Sequence, residues 1–81
     1  MAEVRFDDYF KRLFKKLPNE LSKRVIKQIK KICENPEVGK LMRNVRGGTR
    51  ELYIKPFRLS YEYHKGNGFV IILDLYHKKF Q

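Results

Sequence analysis

The residues best suited to chemistry lie between positions 50 and 63, where charged and aromatic side chains alternate with apolar ones. A period of two places successive side chains on opposite faces of a strand, so Arg58, Ser60 and Glu62 share one face. A guanidinium is permanently charged and can donate two hydrogen bonds to one phosphate. Arg58 is therefore the residue of this face best suited to contact an anion, with Glu62 expected to orient it. The alternative is a surface arginine that balances Glu62 or Glu51.

Pro56 divides this stretch into two strands that turn back on each other. On the first strand, Glu51, Tyr53 and Lys55 lie on the same face. The apolar face of the pair consists of Leu52, Ile54, Phe57, Leu59 and Tyr61. We expect this face to pack on a core, with the Tyr61 hydroxyl reaching an edge, while the polar face presents its charged and aromatic groups together.

The chain carries 19 Lys and Arg against nine Asp and Glu, a formal net charge of +10 over 81 residues. Charge at this density repels itself, so the excess usually has an anionic partner: nucleic acid, an acidic protein or a membrane surface. The length predicts a single domain over residues 1–81 with one modest core.

Several classes of protein are disfavoured. The longest apolar run, residues 69–73, is five residues long, whereas a membrane span needs about 20. Charged residues interrupt the N-terminus, so no signal peptide is evident. Cys33 is the single cysteine, which excludes an intrachain disulfide and a cysteine zinc site. We expect a cytoplasmic protein with no membrane partner.

The remaining elements must position the polar face. Alternation predicts a short strand at residues 2–6. Asp7 or Asp8 is then expected to cap a first helix, whose apolar stripe runs from Phe10 to Leu17. Asn19 is the expected cap of a second helix, whose apolar face runs from Leu21 to about Glu34. Pro18 separates the two helices, and its short connection makes them an antiparallel hairpin. Asn35-Pro36 ends the second helix. Leu41 and Met42 are expected to pack beneath the sheet.

Residues 69–76 are predicted to be the last strand, reached through a glycine-containing turn. The residues of this strand expected to face the helices are Ile71, Leu73 and Leu75. Those expected beside Arg58 are Asp74, Tyr76 and Lys78. The order of strand, helix, helix and three-stranded antiparallel meander predicts a two-layer α+β sandwich.

Three segments, in this order and with the glycine turn before the last, resemble the RelE/ParE superfamily of type II toxin–antitoxin systems, in its RelE-like branch. They are Arg50-Glu-Leu-Tyr-Ile, Phe57-Arg-Leu-Ser-Tyr-Glu-Tyr and Leu75-Tyr-His-Lys-Lys. The resemblance implies a RelE-like fold and a toxin that cleaves messenger RNA on the ribosome and so inhibits translation. In the implied reaction the ribose 2′-hydroxyl attacks the adjacent phosphate without a metal or other cofactor. The implied partners are the messenger, the ribosome and a cognate antitoxin that neutralises the toxin.

The resemblance places Arg58 where the superfamily keeps an arginine that stabilises the transition state. Lys78 lies where many relatives carry a second arginine. Fixed cations accelerate such a reaction because negative charge grows on the phosphoryl and leaving oxygens. His77 is the candidate general base near neutral pH, although alternation points it away from Arg58. The alternatives are a solvated Lys78 and a structural His77.

The candidate RNA-binding residues are cationic or aromatic: Arg43, Arg46, Arg50, Tyr53, Lys55, Tyr76 and Lys79. The tyrosine rings can stack on unpaired bases, and packing on the sheet is the alternative. Many relatives carry a functional tyrosine after the last strand, whereas this sequence has Phe80-Gln81 there. The reaction could then run on the three catalytic candidates alone, run slowly or be absent.

Two other functions fit the same residues. A ParE-like toxin would poison DNA gyrase by binding and would have no nuclease activity. A catalytically inactive relative would only bind RNA or an antitoxin. The high positive charge and the lysine-rich ending favour RNA.

Overall fold

A computed structural model of the chain describes residues 1–42 and 48–80. Its helices and strands are β1 (Glu3–Phe6), α1 (Asp8–Lys15), α2 (Asn19–Glu34), β2 (Lys40–Leu41), β3 (Arg50–Ile54), β4 (Phe57–His64) and β5 (Phe69–His77). The strands of the described residues form one sheet in the order β1-β5-β4-β3-β2, in which β1 is parallel to β5 and the other pairs are antiparallel. The predicted α+β class and element order are confirmed, and β2 is an addition.

The first helix begins at its expected aspartate cap but ends at Lys15, before Leu17, and α2 ends at Glu34 as predicted. Asn19, expected to cap α2, is its first residue instead. The Asp7 side chain accepts a hydrogen bond from the backbone N–H of Tyr9 at 3.0 Å, which satisfies a free donor at the start of α1. Pro18 directly precedes α2, and Asn35-Pro36 follows its end. No helix in the described part of the chain is long and apolar enough to cross a membrane.

One core lies between the helices and the sheet. Its buried members are Phe10, Val25, Ile32, Ile54, Leu59, Tyr61, Val70, Ile72 and Leu75. Both helices, α1 and α2, contribute to it, as do the hairpin β3–β4 and the strand β5. The helices therefore cover one face of the sheet, and the opposite face keeps the polar side chains.

The pairing of β4 with β5 contains a bulge. Ser60 pairs with Asp74, but the next residue, Tyr61, pairs with Ile72. Leu73 of β5 is therefore an extra residue that has no pairing partner on β4. An extra residue shifts the alternation of side chains, so the two halves of β5 follow opposite parity.

This bulge corrects the sequence prediction for β5. Val70 and Ile72 are fully buried, and Leu75 beyond the bulge is nearly so. Ile71 and Leu73 are only partly buried. The prediction that Ile71, Leu73 and Leu75 all face the helices is thus right for Leu75 and wrong for the other two.

The short strand β2 lies at an edge of the sheet. Lys40 pairs with Glu51 and Leu41 with Arg50. Leu41 is 42% exposed, because an edge strand has no neighbour to cover its outer side. The prediction that Leu41 packs beneath the sheet is wrong.

Candidate active site

A concave pocket of about 380 Å³ includes residues from the polar face of the hairpin. Its lining residues are Val38, Lys40, Glu51, Leu52, Tyr53, Arg58 and Lys78. Three of these side chains are cationic and one is a carboxylate, so the pocket attracts anions. The structure thus brings together the predicted catalytic residues Arg58 and Lys78 and the predicted RNA-binding residue Tyr53.

The strand register explains this convergence. Tyr53 of β3 and Tyr76 of β5 both pair with Arg58 of β4, one on each side. These three residues form one row of side chains across the sheet. Two residues along each strand, and so on the same face, a second row contains Glu51, Ser60 and Asp74. Because side chains of one row point to the same face, the two rows form a continuous polar surface.

Glu51 is the carboxylate that holds Arg58. The Arg58 Nη1 lies 3.3 Å from the Glu51 Oε1, and the Tyr76 hydroxyl donates a hydrogen bond to the Glu51 Oε2. The side chain of Glu51 is 10% exposed and that of Arg58 is 25% exposed. Partial shielding from water makes this pair stronger than a pair on the open surface.

The prediction that Glu62 orients Arg58 is wrong. The Glu62 carboxylate lies 3.0 Å from the His64 Nε2. Four residues along one strand span about 13 Å, so Glu62 is remote from Arg58 although both lie on the same face. Glu51, one row away on the paired strand, is much closer.

Lys78 reaches the pocket from the end of β5. Its backbone N–H donates to the Pro56 carbonyl at 3.0 Å, which fixes the chain beside the hairpin turn. Its Nζ lies 5.5 Å from the centroid of the Tyr53 ring, within the range of a cation–π contact. Tyr53 is 53% exposed, so an ammonium and an accessible ring lie side by side in the pocket.

His77 lies on the other face of the sheet. It pairs with Phe57, and the two rings meet edge to face with centroids 5.4 Å apart. Its Nδ1 accepts a hydrogen bond from the backbone N–H of Lys79 at 3.1 Å. The structure therefore does not bring His77 into the pocket with Arg58, in agreement with the alternation of the strand.

The segment before β2, residues 36–39, forms one wall of the pocket through Val38 and is called the wall segment here. The Tyr61 hydroxyl donates to the Pro36 carbonyl at 2.7 Å and accepts from the Gly39 N–H at 2.9 Å. Arg50 donates from Nη1 to the Gly39 carbonyl at 2.9 Å. A Cβ on Gly39 would lie 2.7 Å from the Tyr61 hydroxyl, so a glycine is needed here. Lys40 enters the pocket directly after this anchor.

Three other predicted RNA-binding residues, Arg50, Lys55 and Lys79, lie outside the pocket. Arg50 shares its face with Tyr61, its pairing partner, and its side chain is 18% exposed. Its observed contacts are therefore with the wall segment. Lys55 and Lys79 are exposed, and neither lines the pocket. Arg43 and Arg46 lie outside the described residues.

Comparisons with known proteins agree with this fold. A sequence model of the ParE toxin of the type II toxin–antitoxin system parDE matches residues 4–81. The chain belongs to this toxin family. No curated protein shows significant sequence similarity.

The fold of this ParE-family chain also matches solved toxin structures. The isolated E. coli RelE toxin gives a TM-score of 0.83 at 14% identity, over 95% of this chain and 84% of that chain. A chain of the intact E. coli RelBE toxin–antitoxin complex gives 0.83 at 16% identity, over 95% and 96%. At such identities the likeness shows the fold alone.

Two further features of this family member lie on the polar face. Burial raises the pKa of the Asp74 carboxyl, and the nearby Asp7 carboxylate raises it further. The Asp74 Oδ1 and the Arg58 Nε are buried with no hydrogen-bond partner among the described residues. In the same part of the chain, no three His, Cys, Asp or Glu side chains form a group that could hold a metal ion.

Sequence reasoning offered Glu51 only as an alternative partner of Arg58, and no pattern in the sequence placed Lys40 in the pocket. Glu51 could be found by counting the hairpin register outward from the turn at Pro56. Because Ile54 pairs with Phe57, Tyr53 pairs with Arg58. Glu51 lies two residues from Tyr53 on the same strand and therefore points to the same face as Arg58. The position of Lys40 depends on β2, a pairing of two residues that leaves no periodic pattern in the sequence.

Proposed function

We propose that this ParE-family toxin is an endoribonuclease that cleaves messenger RNA on the ribosome. In this reaction the ribose 2′-oxygen attacks the adjacent phosphorus and the bond to the 5′-oxygen breaks, which leaves a cyclic phosphate and a 5′-hydroxyl. The 2′-hydroxyl loses one proton and the leaving 5′-oxygen gains one, so the overall reaction is balanced without a co-reactant. The main support is that Arg58, Lys78 and the exposed Tyr53 share one pocket.

The two cations have separate tasks. The Arg58 guanidinium donates to the phosphoryl oxygens with the N–H groups that Glu51 does not use, as negative charge grows there. The Lys78 ammonium stabilises the leaving 5′-oxygen. Because these charges are fixed before the reaction, they favour the transition state more than the bound substrate. No proton transfer is assigned to His77, since its ring packs against Phe57 on the opposite face.

Tyr53 supplies the contact to a base. An exposed aromatic ring beside cations is a common platform for an unpaired nucleotide, since each base has a face that stacks. With the base on Tyr53, the neighbouring phosphate lies close to Arg58 and Lys78. The pocket thus suits single-stranded RNA better than a duplex.

The helices add a basic surface suited to ribosomal RNA. Their exposed cations are Lys11, Arg12, Lys15, Lys16, Lys23, Arg24, Lys27, Lys30 and Lys31. Such contacts position a protein on RNA without reading sequence, and they make binding strongly salt-dependent. A ribosomal target also implies that the protein acts in the cytoplasm.

The test uses purified protein, translating ribosomes and a defined message. We expect cuts with cyclic phosphate ends, and a loss of about 10²–10³-fold in rate for Arg58→Ala. Lys65→Ala, which removes an exposed cation outside both the pocket and the basic surface of the helices, should cleave like the unmodified protein. A message left intact at high toxin concentration would contradict the proposal.

Gyrase inhibition is the second candidate function, because the matching family model is that of the ParE toxin. A supercoiling assay run on the same preparation separates the two. Inhibited supercoiling with an intact message would establish this candidate in place of the ribonuclease. No effect in either assay would point to a relative that only binds RNA or an antitoxin.

An antitoxin is the protein partner that we infer, supported by the fold match to the E. coli RelBE toxin–antitoxin complex. An apolar groove of about 450 Å³ runs along the helices, lined by Phe6, Phe10, Lys11, Phe14, Lys15, Ile26, Ile29 and Lys30. An amphipathic helix with acidic flanks fits its apolar floor and lysine rim. Ile26→Asp should weaken binding of the acidic partner, whereas Lys27→Ala, off this groove, should matter much less.

A further inference from the structure

Glu51 stands apart within the pocket, whose other charged lining groups are cations. Each of its carboxylate oxygens already accepts a hydrogen bond, Oε1 from Arg58 and Oε2 from the hydroxyl of Tyr76. Removing a carboxylate from water is costly unless charge and hydrogen bonds compensate for it. Glu51 is therefore a carboxylate in defined contacts and not a solvated surface acid.

These contacts join three strands. Glu51 lies on β3, Arg58 on β4 and Tyr76 on β5. The separation from β3 to β5 is about 10 Å, so the tyrosine must reach across β4. Ser60, the residue of β4 that pairs with Glu51, has a small side chain that is nearly buried, and it leaves room for this crossing.

The contacts of the Arg58 guanidinium differ between its nitrogens. The buried Arg58 Nε has no hydrogen-bond partner among the described residues. Most buried polar groups have a hydrogen-bond partner, so an unpaired Nε is unusual. Since no bond at Nε holds the guanidinium plane, its orientation depends on the bonds of the other nitrogens. The bond that the structure shows runs from Nη1 to Glu51.

We propose that Glu51 is the positioning residue for Arg58, and that Tyr76 in turn fixes Glu51. Glu51 holds Nη1 and leaves the other N–H groups of the guanidinium for a phosphate. Tyr76, expected from the sequence to stack on RNA, acts through this contact instead. The catalytic consequence rests on the ribonuclease function proposed above, whereas the orientation of Arg58 can be observed without any substrate.

The first test is NMR of the free protein. The Nε–H resonance of Arg58 is assigned by its loss in Arg58→Lys. Glu51→Gln keeps the size of the side chain and removes its charge, so we expect this resonance to move and its hydrogen exchange to accelerate several-fold. Tyr76→Phe should change it in the same direction by less.

Glu62→Gln is the matched control. Glu62 lies on the same face of the sheet, and its carboxylate contacts His64. An unchanged Arg58 resonance in Glu62→Gln, beside a shifted one in Glu51→Gln, supports the proposal. An Arg58 resonance that is insensitive to Glu51→Gln, or equally sensitive to Glu62→Gln, overturns it. Circular dichroism of each variant verifies that it is folded.

The second test is kinetic. If Glu51 positions Arg58, Glu51→Gln should lower kcat about 10–100-fold, because a misplaced group loses transition-state contacts. KM should change little, since Lys78 and Tyr53 still bind RNA. A raised KM with unchanged kcat would argue against positioning. If the unmodified protein cleaves no RNA, the ribonuclease function fails, and the NMR result still decides whether Glu51 orients Arg58.

Discussion

Replacing Tyr61 with phenylalanine is expected to loosen the pocket wall before Lys40 and to destabilise the fold by about 2 kcal/mol. The substitution removes one oxygen and leaves the ring in the core. Two hydrogen bonds are lost, one to the Pro36 carbonyl and one from the Gly39 N–H. Tyr61 is fully buried and Gly39 is buried, so water cannot easily replace the lost partner of that N–H.

The size of the effect follows from these two groups. A buried donor left without an acceptor costs about 1–3 kcal/mol. The Pro36 carbonyl belongs to a partly exposed residue, so hydration can offset its loss. For a domain of this length, about 2 kcal/mol corresponds to a fall in Tm of roughly 8–16 °C.

Thermal unfolding followed by circular dichroism measures this fall, and Tyr63→Phe is the control. Tyr63 lies two residues further along β4 and points to the same face, and the described residues offer its hydroxyl no hydrogen bond. Tyr63→Phe should change stability by less than about 0.5 kcal/mol. Equal losses in the two variants would refute the reasoning, as would an unchanged hydrogen-exchange rate at the Gly39 amide in Tyr61→Phe.

Two further substitutions test charge and tethering. Asp74→Asn should stabilise the protein at pH 7, because burial and Asp7 raise the pKa of the folded Asp74 carboxyl and so make its ionisation costlier in the folded state than in the unfolded one. The gain in stability should disappear near pH 3, where the Asp74 carboxyl is protonated in the folded and the unfolded protein alike. Equal gains at pH 7 and pH 3, measured by urea unfolding, would contradict this. Arg24→Ala should cost about 1 kcal/mol, since it removes the 2.6 Å hydrogen bond from Arg24 Nη2 to the Lys55 carbonyl. Lys23→Ala is its control, and an equal loss there in urea unfolding would mean that the bond contributes nothing.

The sequence predicts the layers of this fold well because each helix and each strand of the hairpin has a clear periodic pattern. The site follows to the extent that it depends on the same pattern. Arg58 and Tyr53 alternate with apolar neighbours, so the amino-acid sequence alone predicts that they share a face. Lys78 follows the last strand and needs only the antiparallel pairing to reach them.

What the sequence conceals is the pairing between strands. Residues 69–73 are all apolar, so no polar side chain reveals which of them point outward, and the bulge at Leu73 leaves no trace. The same limitation affects the partner of Arg58. Reading along one strand suggests Glu62, whereas counting across the hairpin reaches Glu51.

The bulge also determines which residue of β5 meets Arg58. Val70 and Ile72 are buried before the bulge. With strict alternation, burial of these two residues would turn Tyr76 toward the core and His77 toward the polar face. The extra residue reverses this parity, so Tyr76 lies opposite Arg58 and His77 packs on the helix side. The chemistry of the pocket, a tyrosine and a carboxylate around an arginine with the histidine excluded, is therefore set by one inserted apolar residue.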